Sequence, residues 1–148
     1  MFAPYIIKPE GLRYSSEIHK IFEERGLKVV NYTTIRFSKK LINLLYDNLA
    51  PPVKRALQNI LLDEFAEFGL VEGKGAPRRL RELCGMETNP MLCEEGTIRR
   101  IFGEKKGILL ANGYVYWMNV IHRFKNKKEH KIGIRIAHEL GLFISRKK

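Results

Sequence analysis

A chain of 148 residues, 45% hydrophobic and 29% charged, has the length and composition of one folded domain and contains no apolar run able to span a membrane. Its net charge of +11, from 27 Lys and Arg against 16 Asp and Glu, draws polyanions and phosphorylated small molecules. MFAPYIIKPEG lacks the pattern of a secretory signal, and Cys84 and Cys93 form no CxxC, so zinc and redox-dithiol chemistry are set aside and the thiols read as free in a reducing cytoplasm.

The predicted elements follow in chain order. YIIKP at 5–9 reads as a short buried strand stopped by Pro9. SSEIHKIFEERG reads as a helix capped by Ser15 or Ser16, with Ile18, Ile21 and Phe22 on one face and Gly26 at its end. LKVVNYTTIRF at 27–37 is β-branched and predicts a strand. Ser38 caps a helix through KKLINLLYDNL, and Pro51 and Pro52 break it and open the next, VKRALQNILL. FAEFGLV at 65–71 alternates weakly, as a strand. Pro77 opens the helix PRRLRELC, a loop runs over 85–96, and Thr97 caps the short helix TIRRIFG. GYVYWMNVIH at 113–122 reads as one strand with Tyr116, Met118, Val120 and His122 on the same side. HKIGIRIAHELGLF predicts the last helix, and SRKK a frayed end. Strands joined by helical crossovers on one face give an α+β, ferredoxin-like antiparallel sheet with helices packed on it, as one domain over 1–148.

The chain has no GxxxxGK[ST] and no HExxH, and its serines and cysteines have no visible base beside them. It does offer a histidine at the end of an apolar strand together with scattered Lys and Arg. Phosphoryl transfer needs such a set: an in-line nucleophile, fixed positive charge and oriented donors around the moving group. A neutral imidazole can serve as that nucleophile near pH 7.

IIKPEG at 6–11, ETNP at 87–90, GTIRRIFG at 96–103 and NVIH at 119–122, in that order and spacing, resemble the nucleoside diphosphate kinase family. EGKGAPRRLREL at 72–83 and SKKLINLLYDNL at 38–49 are similar to further stretches of it. The resemblance implies transfer of a γ-phosphoryl group from a nucleoside triphosphate to a diphosphate through phosphohistidine. His122 would be the nucleophile and Glu139 the carboxylate that orients its ring. Asn119 and Lys8 would contact sugar and phosphate oxygens, Arg81, Thr88 and Arg99 would hold phosphates, and Tyr46 would lie beside the phosphohistidine. Mg²⁺ would travel with the nucleotide, with no metal site of the protein's own. The partners implied are nucleoside di- and triphosphates and further copies of the chain, as a hexamer or tetramer.

The chain also departs from the family pattern. RFKN follows His122 where the family carries Gly-Ser-Asp-Ser. The interval from Arg99 to Asn119 is about ten residues longer, with the surplus in GEKKGILLANG. APPVKRAL is shorter than the family's segment and lacks the phenylalanine that covers the base, leaving Val53 or Leu57 as an apolar lid. His122 is preferred to His130, which follows a charged loop and has Asn126 four residues ahead. Two rivals remain: a nucleotide-binding homologue without catalysis, and a nucleic-acid-binding module on the same sheet. The latter is motivated by nine Lys or Arg against two acids over 121–148, where only Phe124 stands among the basic residues 123–131 for stacking.

Overall fold

A computed structural model describes residues 1–143, and the basic end 145–148, expected to fray, lies outside the described residues. The main sheet joins β1 (Phe2–Ile7), β2 (Lys28–Arg36), β3 (Phe65–Glu72) and β6 (Ile121–Arg123) in the order β2-β3-β1-β6, every neighbouring pair antiparallel. A separate hairpin pairs β4 (Gly107–Leu109) with β5 (Val115–Trp117). The helices are α1 (Ser15–Glu24), α2 (Lys39–Leu45), α3 (Pro51–Leu61), α4 (Ala76–Cys84), α5 (Ile98–Phe102) and α6 (Lys127–Glu139).

The helices cover both faces of the sheet, not one. Side chains alternate across a strand, so Ala3, Tyr5 and Ile7 of β1 point one way and Ile6 the other. The first set packs with Ile18 and Phe22 of α1, Leu80 and Cys84 of α4, and Ile98 of α5. Ile6 joins Phe68 and Leu70 of β3, Ile42 of α2, Leu57 and Leu61 of α3, and Ala137 of α6. Coverage on both sides explains the weak alternation of FAEFGLV, since a central strand buried on two faces need not be polar on either.

Several local expectations shift. β1 begins at Phe2 and releases the chain at Ile7, so Lys8 and Pro9 stand outside it at the start of a 3-10 turn, Pro9–Tyr14. Neither serine caps α1, where Tyr14 occupies the cap position, and the Ser15 hydroxyl instead donates to buried Glu67 at 2.6 Å. Ser38 and Thr97 do cap α2 and α5, accepting from the backbone of Leu41 and Arg100. α2 stops at Leu45, which leaves Tyr46 just beyond its end. Asn126 caps α6, accepting from the Glu129 backbone, so the last helix starts three residues before HKIGIRIAHEL. The largest change lies in GYVYWMNVIH. It is not one strand: β5 ends at Trp117, β6 begins at Ile121, and the two belong to different sheets.

Candidate functional site

The break between β5 and β6 sets the position of His122. Val120 has φ of +66°, a conformation that costs a β-branched residue heavily. The Ile121 N–H donates to the Asn119 carbonyl at 2.9 Å, which closes a three-residue γ-turn around Val120. Three contacts from the end of β1 hold the turn. The Lys8 N–H donates to the Val120 carbonyl at 2.8 Å, and the Glu10 carboxylate accepts the Val120 N–H at 3.1 Å. Gly11 completes the seat, because a Cβ there would collide with the Val120 carbonyl. The turn resets the alternation so that β6 enters the sheet with His122 opposite Ile6 of β1.

His122 lines a cleft at this corner of the sheet. Its ring meets Tyr46 edge-on at 5.9 Å and Phe124 edge-on at 5.3 Å. Nε2 is buried with no hydrogen-bond partner among the described residues. Burial first, then the charges of Arg99, Lys8, Arg123 and Lys125, pull the imidazole down to a pKa of about 3. The ring is therefore neutral near pH 7, with one of its nitrogens unprotonated.

The cations around it are costly to hold there, and for that reason informative. Lys8 is 3% exposed and Arg99 5% exposed. Lys8 donates to the Asn119 side-chain oxygen at 3.1 Å and the Trp117 carbonyl at 3.0 Å, with Glu10 at 3.5 Å. Burial, eased by Glu10 and worsened by Arg99, lowers its pKa to about 8. Arg99 donates only to carbonyls, those of Ile121 at 2.9 and 3.2 Å and Glu87 at 2.8 Å, and burial lowers its pKa too. No carboxylate pairs with it among the described residues. A buried guanidinium with spare N–H groups and no counter-ion is a ready partner for an anion. The Asn119 amide donates to the Thr88 carbonyl at 2.9 Å, tying the loop after α4 to the same corner.

Six expected residues thus meet on one cleft: Lys8, Tyr46, Thr88, Arg99, Asn119 and His122. Burial keeps the Tyr46 phenol protonated well above its usual range. Arg81 does not join them. It lies in a separate small cavity with Arg123, Phe124 and His130, so His130 does not share the cleft with Lys8 and Arg99 either. Glu139 sits exposed at the far end of α6, and no hydrogen bond or ion pair links it to His122 among the described residues. The acid that α6 brings to the cleft is Glu129, in the first turn of the helix. Val53 and Leu57 are buried in the core and form no lid.

Sequence reading missed the hairpin's contribution. Tyr114, Tyr116 and Trp117 all line the cleft, and the Tyr116 ring lies 4.2 Å from the Lys8 ammonium. The lengthened 99–119 interval was visible in the sequence, and its GYVYW stretch was the available signal. Glu10, Arg123 and Lys125 were also missed, although each stands within three residues of an expected one.

Residues 3–140 match the family model described as nucleoside diphosphate kinase. The chain is 32% identical over 111 residues to the nucleoside diphosphate kinase of Chlamydia muridarum, an alignment covering 73% of this chain and 78% of that one. It is 30% identical to the enzyme of Methylobacterium radiotolerans, over 73% and 79%. Among solved structures it is similar to a Borrelia burgdorferi nucleoside-diphosphate kinase bound to vanadate and ADP as a transition-state mimic. That pair has a TM-score of 0.79 at 25% identity, over 100% of this chain and 92% of that one. A Babesia bovis family protein, at 20% identity and TM-score 0.76, shares the fold.

Proposed function

The chain belongs to the nucleoside diphosphate kinase family and transfers phosphoryl groups between nucleotides, and we propose that it does so through His122 as a phosphorylated intermediate. One observation carries this reading: a neutral imidazole stands in one cleft with Lys8 and Arg99, two buried cations that between them have one acid, Glu10.

Nε2 is sealed, so Nδ1 is the nitrogen assigned to attack. Its lone pair forms the N–P bond to the γ-phosphorus while the bond from that phosphorus to the β–γ bridging oxygen breaks. The electron pair leaves with the diphosphate. A second diphosphate then attacks the phosphohistidine through a terminal β-phosphate oxygen, and the N–P electrons return to Nδ1. Lys8 and Arg99 hold phosphate oxygens and offset charge on the transferring group without rearranging. The Asn119 amide, fixed between Lys8 and Thr88, positions the nucleotide sugar. Mg²⁺ is assigned to the substrate, because Lys8, Arg99, Arg123 and Lys125 outnumber the cleft's two carboxylates, Asp47 and Glu129, and such a lining suits phosphate better than a bare hard cation.

The same reading extends to a single domain acting in the cytoplasm as a homo-oligomer, a hexamer or tetramer. The edge strand β2 supports self-association, since it leaves Val30 and Tyr32 exposed. Two buried free cysteines suit a reducing compartment.

Steady-state kinetics with ATP and a second nucleoside diphosphate test the proposal. Parallel double-reciprocal lines, abolished in His122→Gln, are expected. Intersecting lines, or activity that survives the substitution, would refute a phosphohistidine at this residue.

A further inference from the structure

Arg123 follows His122 in β6 and pairs with Tyr5 of β1, so strand alternation alone would turn it away from the cleft. It nonetheless lines the cleft along with His122 and Arg99, reaching past α4 to donate from Nη2 to the Met86 carbonyl at 2.6 Å. Its Nε is buried and has no partner among the described residues. No carboxylate pairs with it among them either. Its positive charge adds to the cost of burying Arg99. A guanidinium held by one carbonyl, beside a like charge, has its binding capacity largely unused.

Arg81, the arginine expected to add a second guanidinium to the phosphates, is absent from this cleft. We propose that Arg123 fills that need and binds the nucleotide's phosphate chain beyond its first phosphate, with the Met86 carbonyl setting the plane of the guanidinium. The inference rests on the cleft being a nucleotide site. Arg123 would present its free Nη hydrogens to phosphate oxygens, while its Nε stays buried.

Calorimetric titration of ADP and AMP against the wild type, Arg123→Ala and Arg123→Lys tests this, with exposed Arg78→Ala as control. Arg123→Ala should weaken ADP by about 10- to 100-fold, the effect of losing a charged hydrogen bond. It should leave AMP within about threefold, and Arg123→Lys should recover part of the loss. Thermal midpoints of all four proteins show whether the fold is intact. A parallel loss of ADP and AMP, or no loss of either, would overturn the role of Arg123 while the nucleotide site stands. A wild type that binds neither ligand would overturn the site itself and this role with it.

Discussion

The Glu10 carboxylate accepts the backbone N–H of Val120 at 3.1 Å, across 110 residues of chain. Through this bond the segment after β1 governs the aim of His122, because the Val120 turn fixes where β6 enters the sheet. Glu10 also lies 3.5 Å from the Lys8 ammonium, so one side chain steadies both the turn and the nearest cation.

Removing that carboxylate strands a backbone donor in a strained turn. We expect Glu10→Ala to lose about 1–3 kcal/mol of stability in denaturant unfolding, the cost of an unsatisfied buried group. Glu10→Gln keeps an oxygen acceptor for Val120 and should lose less. Equal losses in the two variants would show that the charge near Lys8, and not the Val120 bond, is what matters.

His122 makes a pH prediction of definite sign. Its folded pKa of about 3 lies below the unfolded value near 6.5, so between those limits the unfolded chain carries the extra proton. Stability should be unaffected by this residue above about pH 6.5 and should fall as pH drops below it. The difference in unfolding free energy between wild type and His122→Gln, followed from about pH 7 to pH 5, isolates the effect from the other histidines. A flat difference would mean that the ring gains its proton as readily in the fold as outside it.

Lys8 titrates at about 8 in the free protein, lowered mainly by burial. Phosphates favour its charged form, so nucleotide binding should raise this pKa and take up protons. Affinity should then weaken as pH rises through 8. Calorimetry at about pH 8.5 in buffers of different ionisation enthalpy should show proton uptake, and Lys8→Arg should abolish it. Buffer-independent heats for the wild type would contradict the assignment.

Much of this site is legible in the sequence because its parts are short and local. IIKPEG, ETNP and GTIR each carry one group to the cleft and NVIH carries two, and their order survives the inserted hairpin. What stayed hidden depends on geometry that patterns do not encode. Alternation along GYVYWMNVIH assumes an unbroken strand, but the positive φ of Val120 comes from tertiary bonds to Lys8 and Glu10. Arg81 lies on α4 and lines a neighbouring cavity, since each residue along a helix turns the side chain by about 100° and the order of motifs does not fix that angle. The acid of α6 was misplaced because the helix begins directly after RFKN, which brings its first turn and Glu129 to the cleft and carries Glu139 some three turns away. The aromatic wall could not be assigned at all, since hairpin β4–β5 packs outside the main sheet and only the folded chain shows which side faces Lys8.

The central claim is that His122 carries the phosphoryl group, and intact mass measurement after incubation with ATP and Mg²⁺ tests it most directly. One acid-labile phosphoryl adduct is expected on the wild type and on His130→Ala, and none on His122→Ala. An adduct that persists in His122→Ala, or its absence from a wild type that binds ATP, would contradict the claim.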